Sequence, residues 1–183
     1  MCRPASLRVL VAAACIASFA HVAHAEATLR YGFGRAASAA EIAGWDLDVR
    51  PDGTGLPEGH GSVAEGQAIY DAKCASCHGT FGESADYMAI AGGVGSLASD
   101  SPMRTTGSKL NYATTLFDYI RRAMPFQESK SLTADEVYAV SAYILGEGNI
   151  IDKSAVLDAE TLVRVQMPNR DGFIPDPRPE LFK

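Results

Sequence analysis

Cys74-Ala75-Ser76-Cys77-His78-Gly79 is the stretch on which the fold turns. Two thiols with two residues between them, followed at once by an imidazole, make the C-x-x-C-H pattern. Thiols at that spacing reach the two vinyl groups of one porphyrin, and the adjacent His78 then falls beneath the iron as its proximal ligand. Covalent attachment also keeps the cofactor from being lost outside the cytoplasm. The expectation is one haem c, bound covalently through Cys74 and Cys77, with His78 on the metal.

The N-terminus supplies the compartment. Arg3 and Arg8 precede an apolar run from Val9 to Ala20, which is too short to span a bilayer, and Ala23-His24-Ala25 offers a small-x-small cleavage site. The segment reads as a signal peptide over residues 1–25, cleaved after Ala25, so the mature chain is expected in the periplasm. A lipoprotein site before Cys15 would leave only Val9–Ala14 as apolar region, with alanine where leucine is usual. No later apolar run is long enough for a membrane span.

Cleavage removes Cys2 and Cys15, so only the motif cysteines remain. An exported pair at this spacing can also form one tight disulfide or half a zinc site. Zinc needs about four protein ligands, and beyond the motif the mature chain offers only His60. A thioredoxin-like pair sits at a strand end in an alternating βα pattern, which is not seen here. The whole sequence has 16 basic against 22 acidic residues, a formal charge of −6, and loss of the signal makes it more acidic still. Such a chain is not expected to bind nucleic acid.

Helices surround the motif. Ser62-Val63-Ala64-Glu65 is a capping box that opens a helix carrying Gly66, Ile69 and Tyr70 and delivering Cys74. Thr133-Ala134-Asp135-Glu136 opens another, with Val137, Val140, Ile144 and Leu145 as its apolar stripe and Gly146 at its end. Between them Asn111 is expected to cap a helix through about Ala123 that carries Leu116, Phe117 and Ile120. Gly92-Gly93-Val94-Gly95 and Gly107-Ser108 read as loops along the haem edge. Strand-like alternation is absent, so the fold class is all-α. The expected organisation is a signal peptide (1–25), an N-terminal extended arm (26–60), a haem domain (61–150) and a C-terminal arm (151–183).

These features resemble a class I cytochrome c. The resemblance implies that the first and last helices cross near the haem, with Gly66 and Tyr70 meeting Tyr143, and that a loop before the last helix supplies methionine. Met124-Pro125 stands in that place and makes Met124 the expected second iron ligand. Met167, Met88, Met103 and His60 are the rivals; Met167 would need the tail to fold back. Histidine and methionine together leave no open iron position, which suits one-electron transfer and not substrate conversion. Arg104, Lys109 and Tyr112 are candidates for the haem propionates. Arg121 and Arg122, beside Met124, would face an acidic docking surface, a propionate or solvent.

The flanks extend the resemblance. Ala40-Glu41-Ile42-Ala43-Gly44-Trp45-Asp46-Leu47-Asp48-Val49-Arg50-Pro51-Asp52-Gly53, Tyr112 through Phe126, Met167-Pro168-Asn169-Arg170-Asp171-Gly172-Phe173 and Asp176-Pro177-Arg178-Pro179 look like the cytochrome subunit of bacterial sulfane or sulfite dehydrogenases. That family implies a heterodimer in which a molybdenum-pterin subunit oxidises a sulfur compound and the haem takes its electrons. A downstream cytochrome c would then accept them. Trp45, Leu47 and Val49 would lie along the partner or wrap their own domain, and the proline-rich tail is already extended for docking. A freely diffusing carrier, or a haem enzyme such as a peroxidase or thiosulfate dehydrogenase with an open iron, are the alternatives.

Overall fold

The computed structural model describes residues 31, 33–84 and 86–174. The signal segment with its cleavage site after Ala25, and Asp176–Pro179 of the tail, lie outside the described residues.

The chain divides into two units, residues 1–42 and 43–183. In the first, Glu41 accepts the Ser38 backbone N–H at 2.8 Å and pairs with Arg35. The Arg35 guanidinium, followed by the Ser38 N–H, holds the Glu41 carboxyl down at about 2. Helix α1, Ala39–Trp45, starts here, so part of the N-terminal arm is helical.

The second unit carries α2 (Val63–Lys73), α3 (Ala75–His78), α4 (Thr106–Lys109), α5 (Ala113–Ala123), α6 (Ala134–Glu147) and α7 (Ala159–Arg164). Both expected capping boxes form: Ser62 and Glu65 satisfy each other's backbone at the head of α2, and Thr133 and Glu136 do so at the head of α6. The cap of α5 differs from expectation. Tyr112 takes the N-cap position with extended backbone and no side-chain bond, and Asn111 makes no cap. The packing of Leu116, Phe117 and Ile120 therefore supports this helix more than its start signal does. Gly107-Ser108 lies not in a loop but in the helical turn α4, which Thr105 caps reciprocally with Ser108.

Helix α2 crosses α6 at glycine. A Cβ on Gly66 would fall onto the Ala139 carbonyl oxygen and 2.9 Å from Tyr143 Cβ, so no other residue permits this approach. The Tyr70 and Tyr143 rings meet there at 4.8 Å between centroids. On the other flank of α6, Tyr138 stacks on Phe117 of α5 at 4.5 Å. Val137, Tyr138, Ala142 and Leu145 of α6 are fully enclosed, each contributing roughly 1.5–3 kcal/mol of burial for the larger apolar side chains.

The fold is predominantly helical, with one exception to the all-α reading. β1 (His60–Ser62) pairs antiparallel with β2 (Val156–Asp158), Gly61 opposite Leu157. Three residues a strand are too few to show alternation in a sequence. Gly61 backs onto the α6 backbone at Ala139, again where a side chain has no room. Helix Ala134–Glu147 is also not the last. Asp158 caps α7, and Leu157, Leu162, Val165 and Met167 bury in the same core as α2, α5 and α6. Among the described residues no helix is long and apolar enough to cross a membrane.

Candidate haem-binding site

The C-x-x-C-H motif is one helical turn. The Cys74 N–H closes α2 on the Tyr70 carbonyl at 2.8 Å, and the Cys74 carbonyl then accepts both the Cys77 and His78 N–H groups at 3.0 Å. Cys74, Cys77 and His78 thus stand three and four residues apart on one turn, the spacing that puts side chains on a common face. The chain leaves through Gly79, whose φ of +80° suits glycine.

The crossing helices hold that exit. Tyr70 donates its hydroxyl to the Gly79 carbonyl at 3.0 Å and Tyr143 donates to the Thr80 carbonyl at 2.9 Å. Burial raises both phenols, Tyr143 to about 12, so each remains a donor at neutral pH. The two tyrosines read as crossing residues therefore also anchor the motif, a role for which side-chain spacing gives no signal.

The donor set fits a haem. His78 Nδ1 is buried and has no hydrogen-bond partner among the described residues. A buried imidazole nitrogen with no protein partner fits a ring whose setting is completed by another group. Cys74 and Cys77 are free thiols, both half-buried, and burial pushes the Cys74 thiol up to about 11. A neutral buried thiol is a poor redox nucleophile, which weighs against the thioredoxin-like reading. Among the described residues no three His, Cys, Asp or Glu side chains gather as a metal cluster, so the zinc reading lacks its second half.

Cys74, Ile90, Leu110, Met124 and Leu132 share the half-buried margin of the core. Beyond them Phe81, Tyr87, Met88, Val94, Leu97, Met103 and Phe126 are exposed in the loops. Apolar loop residues in such number mark a surface for an apolar ligand or partner.

Met124 follows α5 directly, its N–H bonded to the Ile120 carbonyl at 3.0 Å and its side chain packed against the core. Its rivals are placed otherwise. Met167 is 3 % exposed, packed in the core with Leu157, Leu162 and Val165. Met88 and Met103 are exposed, and His60 belongs to β1, its N–H bonded to Asp135 Oδ1 at 2.8 Å.

Arg104 and Lys109 line one surface pocket of about 430 Å³ with Leu97, Asn169 and Phe173. Tyr112 is half-buried, with the Arg170 guanidinium over its ring at 5.1 Å. Arg122 is exposed, in keeping with the solvated face expected for the pair, and both arginines also have partners within the chain. Arg121 donates to the Leu47 and Gly55 carbonyls, and Arg122 bridges Asp48 and Asp118. The sequence reading missed this grip on residues 47–55; only the Asp118/Arg122 spacing of four hinted at it.

A family model described as cytochrome c oxidase, cbb3-type, subunit III, matches residues 61–144. No curated protein sequence matches the chain. The crystal structure of the sulfane dehydrogenase SoxCD from Paracoccus pantotrophus matches with a TM-score of 0.76 at 42% identity, over 83% of this chain and 77% of that one.

Proposed function

Since the chain belongs to the class I c-type cytochromes, among the cytochrome subunits of sulfane dehydrogenase, we propose that it accepts electrons from a molybdenum dehydrogenase subunit and passes them to a further cytochrome c. It is an electron-transfer cytochrome. The observation that carries it is the 42% identity over 83% of the chain, which takes in sequence on both sides of the haem domain.

In this reading Cys74 and Cys77 would tie one haem c through thioethers, and His78 and Met124 would hold its iron. Bound haem supplies a one-electron couple, and a thioether opposite imidazole favours the ferrous state and raises the potential. Tyr70 and Tyr143 hold the backbone from which His78 projects. Arg104 and Lys109 offer cations to the propionates, and Tyr112 remains a further propionate candidate. Export to the periplasm, with cleavage after Ala25, places the thiols where c-type attachment and a sulfur-oxidising partner are both found.

The haem-loaded protein is expected to show the weak red charge-transfer band of methionine-ligated ferric haem, and Met124→Ala to lose it. A wild type without the band that binds cyanide readily would instead indicate an open-iron haem enzyme. Copurification with a molybdenum-containing subunit separates the complex from a freely diffusing carrier.

A further inference from the structure

The segment from Leu47 to Gly55 is fastened to one face of α5 by three side chains of that helix. The Val49 N–H donates to Asp118 Oδ1 at 3.1 Å, and Asp118 Oδ2 receives Arg122 at 2.5 Å. Arg122 also reaches Asp48 Oδ1 at 3.0 Å, and Arg121 donates to the Leu47 and Gly55 carbonyls at 3.4 Å each. The loop is itself stiff. Arg50 bonds Thr54 across it in the backbone, Gly55 has φ +92°, and a Cβ there would fall onto the Asp48 carbonyl oxygen. Val49 and Leu56 seat the two ends of the loop against the core.

All three helix residues lie in the last turns of α5, immediately before Met124. The opposite face of the same turns is held by Phe117 and Ile120 in the core. The end of the helix is thus gripped from two sides, and no residue intervenes between Ala123 and the sulfur-bearing side chain. We infer that Asp118, Arg121 and Arg122 are positioning residues for Met124, using residues 47–55 as a brace that keeps its thioether against the iron and external ligands off it. This rests on Met124 being the axial ligand.

A solvated ion pair contributes little by itself. The brace differs in that Asp118 is mostly enclosed and accepts a backbone N–H as well as a guanidinium, so removing its carboxylate releases both at once.

The test uses the full mature chain loaded with haem, titrated with imidazole in the ferric state. The variants are Asp118→Ala and Arg121→Met, with Lys153→Gln, which breaks a remote pair with Glu147, as control. Both brace variants are expected to bind imidazole about three- to tenfold more tightly than wild type, the range that loss of one ordinary intramolecular hydrogen bond gives. Their red band weakens and amide exchange at residues 121–124 quickens, while the control is unchanged. Wild-type imidazole affinity in both variants overturns the brace. If Asp118→Ala does not fold, Arg121→Met decides alone. A wild type that lacks the red band fails earlier, on the axial assignment, so the two failures are told apart.

Discussion

The crossing of α2 with α6 and the loop face that carries Met124 use opposite means to hold the two sides of the candidate site. At the crossing, Gly66 allows backbone contact, the tyrosines are buried, and their hydroxyls fix the carbonyls just after His78. On the loop face the apolar side chains are half-buried or exposed, and the Met124 helix is steadied by hydrogen bonds and ion pairs at its surface. One side tolerates no change in volume; the other depends on a mostly enclosed carboxylate and the arginines beside it on the same helix.

The largest expected effect is on the rigid side. Gly66→Leu drives a side chain into the Ala139 backbone and should cost about 3 kcal/mol or more, seen as loss of haem-loaded folded protein. A folded variant with normal haem content would break the comparison. Leu162→Ala, in a fully enclosed position of α7, is expected to lower stability by about 3 kcal/mol in denaturant unfolding. An effect under about 1 kcal/mol would show that the residues after α6 only drape the domain.

Those later residues show what the sequence conceals. The capping boxes at Ser62 and Thr133 were legible because each is a bargain between residues three apart. Gly66, Tyr70 and Tyr143 followed from the family resemblance, and the structure brings them together as that implied. The pairing of β1 with β2 has no local pattern, and Asp158 as a cap is convincing only once the strand before it is known. Asn111 was the better cap by residue type, yet backbone direction gave the position to Tyr112. Long arginines such as Arg121 and Arg122 reach several alternative partners, so sequence alone could not choose residues 47–55 for them.

Tyr70→Phe sharpens the comparison. It keeps the ring and removes one buried donor to Gly79, for an expected loss of about 1–2 kcal/mol in denaturant unfolding. Smaller still is an acid effect at α6. The Thr133 N–H, and after it Lys73, hold the Glu136 carboxyl below its ordinary range. A carboxyl lowered on folding adds stability above its unfolded pKa and loses it as pH falls through the folded one. The melting temperature should therefore decline between roughly pH 5 and 3, and Glu136→Gln should make that decline shallower by under about 1 kcal/mol. At the other extreme, Phe126→Ala, at a residue 79 % exposed, should change stability by no more than about 0.5 kcal/mol. A larger loss would mean that the loop face is packed after all.

The β1–β2 pairing ties together the sequence on either side of the haem domain, His60 against Asp158. Helices α2, α5 and α6 can form from local signals, whereas this pairing joins residues nearly a hundred positions apart. A chain emerging from its N-terminus therefore stays unlatched until residues near 158 are free to pair, and its thiols pass through that open interval before the fold shuts around them.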